Sequence, residues 1–259
     1  MSFRSILAAG LLLAAAAPAG AATLHALTAD GKLVAIDSAQ RRAGKAVTVG
    51  TGSGKVVAIA LRPADGRLYG LTDKGGLVVI DPRTGRVTEG AKLDKPLEMG
   101  GRAVINFNPV VDRLRVVGSG GTNYRIHPDT GAVTADGALK YAPGTPFAGT
   151  TPRITAAAYT NHVAGTKETA LYTIDTALGQ INLQAPPNDG VQQPKKEIGG
   201  GLPNGVGFDI LADGQGGNTG YVVAGGKLFT LAVGDLAMQD MGTIAGLPAS
   251  EVVSLAAAK

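Results

Sequence analysis

Leu68-Tyr-Gly-Leu-Thr-Asp-Lys-Gly-Gly-Leu-Val-Val-Ile-Asp-Pro-Arg-Thr-Gly85 is the stretch on which the fold reading turns. It holds strand-length apolar runs and closes on Asp81-Pro-Arg-Thr-Gly85. In that closing element proline presets φ, Asp or Thr bonds to nearby backbone, and glycine accepts φ > 0, which together specify a turn. The stretch is not unique. Leu24-His-Ala-Leu-Thr-Ala-Asp-Gly-Lys-Leu-Val-Ala-Ile-Asp37 echoes it closely, and Leu114-Arg-Val-Val-Gly with Tyr124-Arg-Ile-His-Pro-Asp-Thr-Gly131 echoes it more loosely. Leu171-Tyr-Thr-Ile-Asp with Gln180-Ile-Asn-Leu, and Tyr221-Val-Val-Ala-Gly-Gly-Lys-Leu-Phe-Thr-Leu231, complete the series.

The copies start at 24, 68, 114, 171 and 221, so the spacings are 44, 46, 57 and 50 residues. Propeller blades repeat every ~40–50 residues. The long spacing holds a Gly-, Pro- and Thr-rich loop between Ala142 and Pro152. Runs at Val56 to Leu61, Ala103 to Phe107, Ile154 to Tyr159 and Gly205 to Ile210 stand in front of four copies. They are nearly continuous apolar runs with small residues, as expected of strands buried on both faces near a crowded axis.

The first copy lacks such a run, and the chain closes with one, Val252-Val-Ser-Leu-Ala-Ala257. Pairing this last strand with the first copy hides two sheet edges that would otherwise invite aggregation. The expected fold is therefore all-β: a β-propeller of five four-stranded blades, closed by the C-terminal strand in the first blade. A sixth blade is the alternative if the long third segment hides a degenerate one.

Composition agrees. Among 259 residues there are 39 Gly and 14 Pro, many turns for few helices, and aromatics are 4% with no Trp. Cysteine is absent, which excludes disulfides, thiolate catalysis and Cys-ligated zinc. Residues 1–21 read as a signal peptide: Arg4, an apolar run from Ile6 to Ala17, Pro18, then Ala19-Gly20-Ala21 for the peptidase. Residues 22–259 are then one exported domain, periplasmic or extracellular, with no membrane span. Losing Arg4 takes the net charge from +4 to +3, and scattered charges give no stripe for nucleic acid.

Val104-Ile-Asn-Phe-Asn-Pro-Val-Val-Asp-Arg-Leu-Arg-Val-Val117, Tyr124 to Gly131, Ala158-Tyr-Thr-Asn161 and Pro186-Pro-Asn-Asp-Gly190 together resemble the exported bacterial family catalogued as domain of unknown function 4394. The resemblance spans the mature chain and implies a propeller-like fold in an envelope or extracellular setting. It implies no activity and no site residues.

Chemistry is sparse. The three histidines, His25, His127 and His162, fall in different repeats without metal-ligand spacing. Asp81 and Asp129 could be metal ligands but sit in the turn element, which explains them. No Gly-x-Ser-x-Gly elbow exists, and Gly118-Ser-Gly-Gly121 and Gly199-Gly-Gly201 lack the Lys and helix of a phosphate cradle. Glycoside hydrolysis needs two close carboxyl groups. Of the glutamates Glu89, Glu98, Glu168, Glu197 and Glu251, two lie in peripheral segments, Glu89 and Glu197. Asp209 differs, because it lies inside an inner strand, with Asn106 at the matching place of another.

Aligning the inner strands puts Lys55, Arg153, Asn204 and Glu251 just before four of them and Arg102 beside the fifth. All should gather at one mouth of the axial channel as a weakly positive collar, with Asn106 and Asp209 deeper, a candidate site for an anion. The leading expectation is a non-enzymatic binding or interaction scaffold, monomeric, whose partner is a small anionic ligand or an envelope protein. A carbohydrate-active hydrolase or lyase using channel carboxylates is one alternative. A calcium-stabilised propeller, its ion held by Asp209, Asn106 and carbonyls, is another; no other cofactor is expected.

Overall fold

The computed structural model describes residues 21–259 apart from Ser53, residues 199–201 and Asn204. The signal segment 1–21 therefore lies, except for its last residue, outside the described residues, and so does Asn204.

Each repeat forms an antiparallel sheet radiating from a common axis, and five of them make a ring. Blade II runs outward through Val56–Leu61, Leu68–Thr72, Gly76–Ile80 and Val87–Lys92. Blade III uses Ala103–Asn108, Arg113–Gly118, Asn123–Ile126 and Val133–Ala135. Blade IV uses Ile154–Tyr159, Leu171–Asp175, Gln180–Gln184 and Val191–Glu197, and blade V uses Val206–Ala212, Asn218–Ala224, Lys227–Ala232 and Ala237–Thr243. Blade I is the composite one. Its inner strand is Val252–Ala258, paired antiparallel with Thr23–Thr28 from Thr23↔Ala258 to Thr28↔Val252. Lys32–Asp37 is the next strand out, and the outer strand is split into Arg42–Ala43 and Val47–Thr48.

The sixth-blade alternative is not what the long third segment forms. Its Lys140–Tyr141 instead adds parallel to the outer edge of blade IV, beside Val191 and Gln192. Among the described residues the one helical piece is the 3-10 turn Pro187–Asp189.

The core lies between blades, where apolar faces of adjacent sheets meet. Tyr69 of blade II stands edge-on to Phe107 of blade III, ring centres 5.3 Å apart. Val206, Phe208 and Ile210 of blade V pack with Ala156, Ala158 and Ile174 of blade IV. Near the axis the side chains must shrink: a Cβ on Gly207 would sit 2.9 Å from Leu255 Cβ. The turn glycines serve the same seams. Gly131 has φ +75°, and a Cβ there would collide with the Lys92 carbonyl of the preceding blade.

Closure predicts a clear contrast. Leu255 on the closing strand is 2% exposed, so Leu255→Ala should lower the unfolding free energy by ~2–5 kcal/mol. Val110, 42% exposed in a hairpin tip, should tolerate Ala within ~0.5 kcal/mol. Urea unfolding of both variants checks this; equal losses would mean the closing strand is dispensable.

Candidate functional site

Inner strands of a ring all run the same way, so their first residues meet on one face. Lys55, Arg102, Arg153 and Glu251 each directly precede an inner strand and stand on that collar face. Their roles diverge. Lys55 Nζ donates to the Ala29 carbonyl at 2.6 Å, and its backbone N–H donates to Asp73 Oδ1 at 3.0 Å. Arg153 is exposed, and its backbone N–H donates to Asp175 Oδ2 at 2.9 Å. Arg102 turns inward: Nη2 donates to the carbonyls of Val206 and Val253, 3.0 Å each. Its guanidinium thereby bridges the inner strands of blades III, V and I. Burial pulls its proton affinity down, and nearby Glu251 pushes it back up.

Below the collar the axis is closed. The space bounded by Ile105, Ala157, Val206, Phe208 and Ser254 is only ≈ 10 Å³, about one water at most. Asn106 and Asp209 lie deeper still, 1% and 0% exposed. The structure brings these two together: Asn106 Nδ2 donates to Asp209 Oδ1 at 3.0 Å. The backbone N–H of Ile210 donates to the same oxygen at 2.9 Å, and that of Ala257 to Oδ2 at 2.8 Å. Asn106 Oδ1 accepts from the Tyr159 N–H at 3.0 Å. Three N–H donors thus converge on the Asp209 carboxyl.

Desolvation holds the Asp209 carboxyl above its ordinary proton affinity, against the attraction of His162 and the three N–H bonds. His162, from the loop ending the inner strand of blade IV, is in turn made less basic by burial, with the Asp209 charge opposing. Its Nε2 is buried without a hydrogen-bond partner. The titratable group whose charge bears on Asp209 is therefore this imidazole. Glu89 and Glu197 lie on outer strands, as their peripheral reading requires. Among the described residues no three acidic or histidine groups cluster for a metal.

Two concave recesses open on the collar face. One of ≈ 380 Å³ lies between blades V and I, with Glu251, Ser250, Gly226 and Leu247 on its walls. The other, ≈ 280 Å³, lies between blades I and II beside Asp30 and Lys55. Asp30 is fixed by Lys32 Nζ at 2.8 Å and Thr28 Oγ1 at 2.6 Å.

Two buried cations escaped sequence reasoning. Arg62, 7% exposed, donates to Asp112 and Asp129 of blade III and to Tyr69 Oη, pinning blade II to blade III. Arg115, 2% exposed, donates to Asp136, Asn123 Oδ1, Asn188 Oδ1 and Tyr159 Oη, tying blade III to blade IV. Asp129 was a turn residue by sequence, and it also accepts from Arg62. Asp81 keeps to its turn, accepting from Arg83 N at 2.9 Å and Thr84 Oγ1 at 2.8 Å.

A family model described as "Domain of unknown function (DUF4394)" matches residues 32–256. No curated protein sequence matches the chain. Among solved structures, a chain of the nidogen/laminin complex is similar with TM-score 0.52 and 11% identity, over 92% of this chain and 98% of that one. A protein of unknown function from Bacteroides thetaiotaomicron VPI-5482 gives TM-score 0.49 and 15% identity, over 83% of this chain and 57% of that one. An auxiliary nutrient binding protein from Bacteroides ovatus ATCC 8483 gives 0.43 and 12%, over 76% of this chain and 55% of that one. This chain thus spans little more than half the length of the last two. At these identities the likeness concerns the fold alone.

The buried carboxyl sets a pH signature. Because the folded state raises its proton affinity, the folded chain holds the proton where the unfolded chain has released it. Stability from this group is then full at acid pH and falls as pH rises through the shifted value. The surface carboxylates Asp129 and Asp240, lowered by Arg62 and Lys227, act oppositely and lose their stabilisation as pH falls. In Asp209→Asn the first effect vanishes. The stability of the wild type relative to this variant should therefore decline as pH rises above the ordinary carboxylate range, measured by urea unfolding across pH. A flat difference would mean that Asp209 is not perturbed.

Proposed function

The chain belongs to the DUF4394 family, and from that footing we propose that it is an exported, non-enzymatic binding propeller whose partner docks on the collar face. The packed axis carries this reading. A space of ≈ 10 Å³ admits no substrate, so recognition falls to the face, where recesses of ≈ 380 and ≈ 280 Å³ lie next to Glu251 and Lys55. Asp30 on that face is already paired with Lys32, so Lys55 and Arg153 against Glu251 favour an anionic ligand or an acidic patch on an envelope protein. Hydrolysis would need an accessible carboxyl pair, whereas Asp209 is fully buried and held by three N–H donors.

Export rests on the signal-peptide reading of residues 1–21 and on the anchoring of the residue that would come first after cleavage. Ala22 is 2% exposed and doubly tied to Ser38, through Ser38 Oγ at 2.8 Å and the Ser38 N–H at 3.0 Å. The residue that cleavage would leave first is thus anchored in blade I. Among the described residues no helix is long and apolar enough to cross a membrane.

Thermal unfolding of residues 22–259 across small anions and sugars tests the binding face. A ligand at 100 times its Kd adds about 2.7 kcal/mol, which lifts the midpoint of a domain this size by roughly 5–10 °C. Lys55→Glu with Arg153→Glu should remove the shift and leave the ligand-free midpoint in place. An equal shift in the double variant would move the site off the collar, and a flat panel would dismiss the small-ligand form. For export, the full chain expressed in a bacterial host should yield an envelope species beginning at Ala22 by mass spectrometry; retention of Met1 would overturn the signal-peptide reading.

A further inference from the structure

Blades I and II part on the face opposite the collar, leaving a cleft of ≈ 550 Å³, within the range of small-molecule sites. Leu61, Leu68, Val79 and Val87 supply apolar walls, and His25 lines it from the second strand of blade I. The residues directly opposite His25 in register are Ala35 and Ala256, so its two cross-strand partners offer the imidazole no polar group. Its Nδ1 is buried and has no hydrogen-bond partner. A buried polar atom left so is costly, and such atoms call for an explanation.

Charge completes the picture. Arg67 and Arg86 line the cleft together with a single carboxylate, Asp81. Asp81 is committed to its own turn through Arg83 N and Thr84 Oγ1. Arg67 is held in place by Asp65 Oδ2 at 2.7 Å and by Tyr69 Oη at 2.9 Å. Arg86 is exposed. Arg67 is already ion-paired with Asp65 and Asp81 is taken up by its turn, so the exposed Arg86 is the lining guanidinium able to turn to an incoming anion.

We propose that this cleft binds a small organic monocarboxylate, its apolar body between the leucine and valine walls and its carboxylate met by His25 Nδ1–H and the cleft arginines. Burial, which keeps the free imidazole neutral, works against the charged form until an anion arrives, so binding makes His25 more basic. The cleft lies across the ring from the collar, and the inference stands or falls independently of the collar reading.

Hexanoate, hexanol and inorganic phosphate are the probes, read by the ring resonances of the three histidines in NMR titrations of residues 22–259. Hexanoate should move the His25 signals saturably, leave His127 and His162 in place, and raise the pH at which His25 titrates. Arg86→Glu, on an exposed side chain, should weaken binding by about tenfold or more, and His25→Phe should abolish it. Lys55→Glu with Arg153→Glu should leave it unchanged. Unmoved His25 signals at millimolar hexanoate, equal binding of hexanol or phosphate, or full binding by a folded Arg86→Glu protein would each overturn the proposal.

Discussion

Each blade of this ring has an inner strand with no strand beside its axial edge, and the backbone groups along that edge must still be paired. Buried N–H and C=O groups left alone cost about as much as a lost hydrogen bond each. The ring answers with polar side chains in place of a ladder. Asn106 and Asp209 take the N–H groups of Tyr159 and Ala257. Ser254 Oγ both accepts from the Ile59 N–H and donates to its carbonyl. Arg102 covers the Val206 and Val253 carbonyls at the mouth. Every one of these bonds joins different blades, so the same groups that satisfy the edge also lock the circle. A buried carboxyl is expensive, and Asp209 is tolerated because three N–H donors converge on it.

Small side chains make that geometry reachable. Ala58, Ala60, Ala156, Ala158 and Gly207 let five strands approach one axis, and the result is an axis with no room for a ligand. Farther out the blades diverge and the seams widen. There long side chains take over, with Arg62 and Arg115 threading between sheets to carboxylates and amides beyond their own strands. The chain thus grades from alanine at the centre to arginine at mid-radius, and the chemistry it can offer moves outward to the faces.

How much the sequence made legible depends on how far apart the deciding residues lie. Turn chemistry and strand runs are local, so the repeats, the five blades and the closing strand can be read from the chain. Position along a strand is also legible, which is how Asn106 and Asp209 could be matched before their bond was seen. Side-chain direction is not. Nothing in the order of residues distinguishes Arg102, which turns inward to two carbonyls, from Arg153, which faces water. Nor does spacing show that Arg62 meets Asp129, 67 positions away. Lys140–Tyr141 was hidden for a different reason: a two-residue strand joined in parallel to another blade's edge has no periodicity of its own.

Blade I explains where the open space ends up. The recesses of ≈ 280, ≈ 380 and ≈ 550 Å³ all border it. It is the blade assembled from both ends of the chain, and its outer strand is broken into two-residue pieces, Arg42–Ala43 and Val47–Thr48. That outer strand contrasts with the continuous six- and seven-residue strands that finish blades II and V. These recesses therefore open in the two seams that flank the strand pair that does the closing. A ligand in such a seam would bridge the closing blade to its neighbour, so occupancy and closure would reinforce one another through the same contacts. Binding in either seam would then add directly to the closure of the ring.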